Sequence, residues 1–462
     1  MSGAQYGRGQ PCDLLVTNAY VLTADAKRTK HPAGAIAIEG RDIVAVGPER
    51  DLASRFHAGR TIDAEGGMVH PGLIDVHYHV TQHMIGKMIQ EVSFEGADPT
   101  AWIAKQYTGM NNALEPEEEW ANAALASLDM LRNGVTAFVD PGTIYSHDAV
   151  ADAVASVGTR SSFADPWIID SSDPAFTNIR DVVPTFEHGA KALGGQLWRN
   201  KDANARVKGH LAIYGCGANS LRMIRYAKEL AETNGCAFNM HQSQSTDDAE
   251  ADDRTLGKHP LVRYEEEGLL SRSCVFVHMN VLRDDEIEPI VRSGISVVWS
   301  PTNSWYYGTR MRAPNRIPKL FKRGVNVTLG LDVSKAASWG DQAHMAYLLA
   351  RDQGDHLSPD DLLHMQTANA ARAMGWESWL GSIEPGKRAD LVIRSNDRPE
   401  AWPRHNPERQ HLLLARGKSV DTVIVDGEIV IKAGRHVRLD EGALYERCDR
   451  AAKTLRERSG VA

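Results

Sequence analysis

Cysteine is scarce and scattered along this chain. Its 462 residues include five, Cys12, Cys216, Cys236, Cys274 and Cys448, and no two sit at a metal or redox spacing. An odd count with no hydrophobic leader predicts reduced thiols and a cytoplasmic protein. No apolar run approaches membrane-spanning length, and the first residues, MSGAQYGRGQPCD, hold no targeting segment. A basic stripe is also missing. Lys and Arg total 52 against 60 Asp and Glu, a net charge of -8, which argues against a nucleic-acid partner. The longest acidic cluster, STDDAEADD, reads as a solvated loop. No internal repeat stands out. What remains is a chain long enough to bury one large core or two smaller ones.

The two ends read as short strands between Gly and Asp turn signals. LLVTNAYVLT, GAIAIEGRDIVAVG and RTIDAEGGMVH lie in the first 70 residues. GKRADLVIRS and SVDTVIVDGEIVIKAG lie near the end, and Asp426-Gly427 between two β-branched runs predicts a tight hairpin. Both ends are expected to form one small β-sandwich domain, from residues 1–70 and 384–462. Between them, at 71–383, strand and helix patterns alternate, as a parallel α/β domain requires. Eight strands (LIDVHYH, VTAFVD, RSSFAD, HLAIYG, CAFNMH, CVFVHM, ISVVWS and VNVTLGLD) predict a closed (β/α)8 TIM-like barrel. The clearest helix is EPEEEWANAALASLDMLRNG. Pro116 suits its first turn, three glutamates favour the positive end of its dipole, and Gly134 can cap it. Trp120, Ala124, Leu128 and Leu131 form its apolar stripe. The last charged helix, YERCDRAAKTLRERSG, is expected on the surface or at a subunit contact.

His77-Tyr78-His79 ends the first barrel run. Residues two apart in a strand share a face, so both imidazoles project to one side. They are either two satisfied histidines at a sheet rim or two ligands of a divalent metal. A metal needs three or four protein ligands, and sites on parallel sheets gather at carboxyl ends of strands. His241, His278 and Asp332 each close an apolar run and precede a polar loop. Four histidines and one aspartate at strand ends favour the metal reading. Nitrogen ligands with one carboxylate suit zinc, iron, cobalt or manganese.

With these motifs in order, the chain resembles the amidohydrolase superfamily. The branch it resembles most contains cytosine and adenosine-analogue deaminases and triazine chlorohydrolases. The likeness runs through PGLIDVHYHVTQHMIG, NMHQSQ, FVHMN, SPTNSWYYG, TLGLDVSKA and TANAARAMGWESWLGSIEPGKRADLVI. It implies that His77, His79, His241 and Asp332 bind one metal per chain. It also implies that His278 and Asp332 are catalytic, His278 standing beside the metal. Two departures matter. The family's deaminases carry His-x-x-Glu at the fifth strand, where this chain has Gln244. Its binuclear members carry a carbamylated lysine ending the fourth strand; the only lysine there, Lys208, begins it, so one metal is expected.

A metal in such a site lowers the pKa of a water towards neutrality. Asp332 can take the water's proton, and His278 can polarise the oxygen that gains charge. A glutamine cannot deliver a proton. On that ground the expected reaction is cleavage of an acyl C–S or C–N bond in a small apolar thiocarbamate, carbamate or (phenyl)urea, thiolate leaving most easily. This agrees with a closer resemblance to phenylurea and thiocarbamate (molinate-type) hydrolases. The alternative is a deaminase or chlorohydrolase of a triazine, purine or pyrimidine; a scaffold without activity is the remaining reading, against which all five site positions stand filled. Gln244, Trp299, Asn303, Trp305, Tyr306 and Trp339 are expected to contact substrate. Tyr307, Tyr78, Met84 and Met88 would add to an apolar mouth. A homo-oligomer, dimer or tetramer, is expected.

Overall fold

The structure is a computed structural model and describes residues 9–89, 99–171, 178–308 and 313–461. In chain order, the strands of the first end are β1 (Gln10–Leu22), β2 (Lys30–Glu39), β3 (Asp42–Pro48), β4 (Phe56–Asp63) and β5 (Met68–Pro71). The central strands are β6 (Leu73–Asp75), β7 (Val135–Val139), β8 (Arg160–Phe163), β9 (Val207–Gly209), β10 (Leu211–Gly215), β11 (Phe238–Gln242), β12 (Cys274–His278), β13 (Ser296–Trp299) and β14 (Asn326–Leu329). The second end adds β15 (Leu391–Arg394), β16 (Val420–Val425), β17 (Glu428–Lys432) and β18 (Arg435–His436).

Both chain ends do meet in one β-domain. Its strands form a connected nine-stranded sheet, β18-β17-β16-β15-β5-β1-β2-β3, with β4 also paired to β1. The long β1 is the hinge of this arrangement. Its first half pairs in parallel with β4 and its second half with β5. Alternation along the strands separates two apolar faces. Leu14 and Val16 pack with Ile36, Ile38 and Leu391, whereas Cys12 and Leu15 pack with Ala35, Ala37 and Phe56. The hairpin at Asp426-Gly427 has positive φ at both residues (57° and 76°), the backbone that a two-residue turn of matching twist requires.

The central strands are parallel neighbours in sequence order, β6-β7-β8-β9 and β10-β11-β12-β13-β14. The fourth barrel strand comes in two pieces, β9 and β10, either side of His210. The chain then closes on itself beyond the ends of β14 and β6. The Val76 amide bonds the Leu329 carbonyl, Asp332 N donates to His77 O at 2.9 Å, and His79 N donates to Asp332 O at 3.0 Å. The seam that completes the (β/α)8 barrel is therefore made by the residues that the motif analysis selected. Ile74, Val76, Ala137, Val139, Val275, Val277 and Val298 form one apolar cluster, and the outer strand faces pack against helices.

Helix Pro116–Arg132 begins with a capping box between Glu115 and Glu118, and Pro116 stands at its first turn. Gly134, beyond its end, takes φ 82°. Ala124, Leu128 and Leu131 are buried. The last helix, Glu441–Ser459, is tied to the barrel rather than free: Leu444, Cys448, Ala451 and Leu455 are buried. Arg447 pairs with Glu117 at 2.7 Å and lies 3.4 Å over the Trp120 ring, while Arg458 pairs with Glu118 at 3.0 Å. Among the described residues no helix is long and apolar enough to cross a membrane.

Candidate metal centre and cavity

Five side chains from four barrel strands converge at one end of the barrel. Ring centroids of His77 and His79 are 4.9 Å apart, His77 and His241 4.8 Å, and His241 and His278 5.4 Å. Asp332 Oδ1 lies 3.1 Å from His79 Nε2 and 3.4 Å from His77 Nε2. Two overlapping triplets, His77, His79 and His241, and His77, His278 and Asp332, each bring their possible ligand atoms within 4.8 Å of one another. All five residues are buried.

Backbone conformation puts them there. Val275 and Val277 face the inner cluster while Phe276 packs outside, so regular alternation would send His278 outward. His278 and Met279 instead take φ 74° and 51°, and Asp332 takes φ 68°. Such values are uncommon for residues with a Cβ and cluster at functional sites. Gly215 ends β10 at φ 83°, where a Cβ would stand 2.0 Å from the His241 carbonyl oxygen. That close approach lets Tyr214 O accept from His241 Nδ1 at 2.8 Å. The bond fixes the tautomer and leaves Nε2 free to ligate.

Protonation follows from burial. Burial pushes the pKa of His77 and His241 down, and neighbouring histidines push His241 further. Burial brings His278 to about 3. For Asp332 burial pushes upward, but Lys335 and bonds from His77 and His79 outweigh it, holding the carboxyl well below its usual range. His77, His241 and His278 are thus neutral imidazoles near an ionised Asp332, the protonation state a metal ion demands. Both ring nitrogens of His278, and Nδ1 of His77 and of His79, are buried without a hydrogen-bond partner. Buried polar atoms without partners are costly, and a bound ion would satisfy several at once. This donor set, three or four imidazoles and one carboxylate, fits a single zinc-like divalent ion. Lys208 bonds the carbonyls of Asp202 and Ala203 at the start of the fourth strand, away from the cluster.

Beside the cluster opens a cavity of about 240 Å³, lined by His79, His241, His278 and Asp332 on one side. Tyr107, Trp167, Tyr214 and Tyr307 supply aromatic walls; Gln82, Asn111, Gln244 and Lys335 supply polar groups. Of the expected contact residues, Gln244 lines it. Asn303 donates from Nδ2 to Asp332 Oδ2, so it orients that carboxylate. Tyr306 is half-buried near Lys335.

The tryptophans need correction. Trp299 follows the inward Val298 and so faces outward, fully buried in the strand–helix core. Trp339 is buried behind the first strand: its indole donates to Asp75 at 2.7 Å and its ring packs on Tyr78 at 4.6 Å. The three bonds that Asp75 accepts, from His77 N, Leu331 N and Trp339, do not fully offset burial, and its pKa rises to about 7. Trp305 points away, half exposed, into a separate hollow with Asn280 and Leu349. Tyr78 and Met84 belong to the core as well. Sequence reasoning missed Trp167 and Tyr214, although Trp167 follows β8 and Tyr214 is the next-to-last residue of β10, where the strand-end rule applies. It also missed Tyr107, Asn111 and Lys335; the first two lie one turn apart on helix Pro99–Asn112, with no signal in the chain for which way that face points.

The amidohydrolase family model matches residues 68–430. A 5-methylthioadenosine/S-adenosylhomocysteine deaminase of Desulforudis audaxviator (strain MP104C) is 29% identical over 460 residues, covering 96% of this chain and 99% of that one. A 5'-deoxyadenosine deaminase of Methanosarcina mazei is 26% identical, covering 96% and 98%. Among solved structures, an adenosine deaminase from Xanthomonas campestris with bound zinc superposes with a TM-score of 0.86 at 23% identity, covering 97% and 100%. An atrazine chlorohydrolase from Arthrobacter aurescens TC1 complexed with zinc gives 0.81 at 21% identity, covering 95% and 100%. These relatives overturn the expectation of thiocarbamate, carbamate or urea cleavage, and the closeness to phenylurea and molinate-type hydrolases falls with it. That expectation drew a change of reaction class from one side chain, Gln244. A metal held by this cluster could serve attack on a ring carbon as well as on a carbonyl, so one missing acid does not decide between them.

Proposed function

The chain belongs to the amidohydrolase family, and we propose that it is a metal-dependent hydrolase that removes an amino group from a heteroaromatic ring, of the purine nucleoside class. The observation that carries this reading is the likeness, over nearly the full length of both chains, to a protein named as a 5-methylthioadenosine/S-adenosylhomocysteine deaminase. The aromatic walls of the cavity support it, since Tyr107, Trp167, Tyr214 and Tyr307 offer flat faces to a planar ring.

His77, His79, His241 and Asp332 would hold the metal, zinc by analogy with the solved relatives. When bound, it would act as a Lewis acid that makes a water nucleophilic near neutral pH. Asp332, ionised and oriented by Asn303, accepts a proton from that water. His278 is neutral at pH 7 and free of protein partners. Its N–H holds the oxygen that joins the ring carbon. Gln244 can donate a hydrogen bond to a ring nitrogen from its amide but has no proton to give up. As water adds at carbon, the proton taken by Asp332 passes to the ring nitrogen. The proton of the added hydroxyl then moves to the amino group, the C–N bond breaks, and ammonia departs, leaving a ring carbonyl behind.

Ammonia release from 5'-methylthioadenosine, S-adenosylhomocysteine, adenosine and aminopyrimidines by zinc-loaded protein tests the reading. We expect turnover of at least one of them. His278→Ala should keep its zinc but lose on the order of a hundredfold in kcat, as removal of a polarising group does. Turnover of none, with chloride release from a chlorotriazine instead, would reject deamination.

A further inference from the structure

Among the described residues lining the cavity there is one cation, Lys335, which helps keep Asp332 ionised but has no role of its own toward substrate in the proposed chemistry. Its side chain is 6% exposed, and it stands beyond the end of the eighth barrel strand, three residues past Asp332. Nζ lies 4.7 Å from the ring centroid of Tyr307, 5.6 Å from Tyr107 and 5.9 Å from Tyr306. It donates to Asn303 Oδ1 at 3.3 Å and bonds the Tyr307 side chain. The nearest carboxylate oxygen, Asp332 Oδ2, is 4.0 Å away.

That carboxylate is already engaged. Asn303 Nδ2 donates to the same oxygen, and Oδ1 faces His77 and His79. Among the described residues lining the cavity, Asp332 is the sole acid. Gln244 adds no charge where a glutamate would have supplied one. A buried ammonium is costly unless a negative group compensates it. Here Asp332 and Tyr307 keep Lys335 charged, but Asp332 is the one carboxylate it faces among the described residues and would be shared with a bound metal. A divalent ion at the histidine cluster would make the cavity more positive still. Recognition of a neutral nucleoside calls for no such cation.

We infer that Lys335 is a specificity-determining residue and that the ring taken into this cavity bears an anionic group, a carboxylate or an ionised lactam oxygen, which Lys335 binds. This rests on the deaminase reading only in placing a heteroaromatic ring beside the cluster. Among the aminated heteroaromatic substrates of that reading, it predicts a preference for those whose ring carries a negative charge.

The test is calorimetric binding of two near-isosteric probes, 6-aminonicotinate and its neutral amide 6-aminonicotinamide, to metal-free and zinc-loaded protein. Binding is read without turnover, so the outcome stands apart from that of the ammonia assay. The wild type should prefer the carboxylate by about tenfold or more in both forms, the scale of one charge-assisted hydrogen bond. Lys335→Met should abolish that preference while changing amide affinity little; Lys335→Arg should keep part of it. Equal binding of the two probes by the wild type would overturn the inference. A preference that survives in Lys335→Met would do the same, by assigning the carboxylate to the metal. Lys335→Met that loses zinc and both probes together would reduce Lys335 to a support for Asp332.

Discussion

Gln244 is the residue whose consequence is most open to measurement. It lines the cavity across from no other acid than Asp332, so ring protonation has no obvious donor at that point. Gln244→Glu restores one with little change of volume. For an aminated ring substrate we expect kcat to rise on the order of a hundredfold, within the usual contribution of a general acid. An unchanged or lower kcat in stopped assays of ammonia would mean that the proton reaches the ring from another group. At this scale the ligand cluster was legible in the sequence because each member is a polar residue closing an apolar run, a pattern visible in one dimension. Trp299 and Trp339 were misjudged for an equally local reason. Being near a strand end says nothing of facing, and for Trp299 a single step of alternation turns the ring from the barrel's inner side to its outer one.

The elements that carry cavity residues depend on neighbours far along the chain. Helix Pro99–Asn112 brings Tyr107 and Asn111 to the cavity. Behind it, Met110 and Leu114 pack with Ile85 and with Leu455 of the last helix. Leu455 is fully buried, so Leu455→Ala should cost about 2–5 kcal/mol in urea unfolding. Because the cluster it fills backs the cavity wall, KM should rise several-fold while zinc content stays at the wild-type level. Zinc loss in step with KM would show that the helix supports the ligands rather than the wall. The last helix itself was legible as charged and helical. Its docking was not, since Arg447 and Arg458 find Glu117 and Glu118 some 330 and 340 residues away, and pairing at that distance leaves no periodic trace.

At the scale of the whole molecule, the parallel barrel and the joining of both ends were readable from alternating apolar patterns, because each strand and helix must bury one face. The path of the end sheet through β1 was not, as register depends on partners rather than on the strand alone. The barrel's closing seam, at His77, His79 and Asp332, couples fold and site, and it sets a pH response. Burial holds His210 and His278 at about 3 and His411 at about 4, and depresses His70, His77, His83 and His241. Unfolded, each would titrate near 6.5. Below that pH the unfolded chain binds more protons than the folded one, so stability falls as pH drops from about 6.5 towards the folded values, by up to about 1.4 kcal/mol per unit for each group. Asp75 works in the opposite sense. Its pKa, raised to about 7, and that of Asp252, raised to about 6, favour the folded state as pH falls through neutrality, but the depressed histidines outnumber these two groups in this range. The metal-free protein should therefore lose thermal stability steeply between pH 6.5 and 5. Zinc should raise Tm at pH 7.5 by RT ln(1 + [L]/Kd) converted through the unfolding entropy, and because burial keeps His77 and His241 neutral in the folded protein, most of that increment should persist at pH 5.5. Scanning calorimetry with and without zinc across this range checks both slopes. A metal-free Tm flat from pH 7 to 5, or a zinc increment lost by pH 5.5, would mean that these histidines are hydrated or charged in the folded protein.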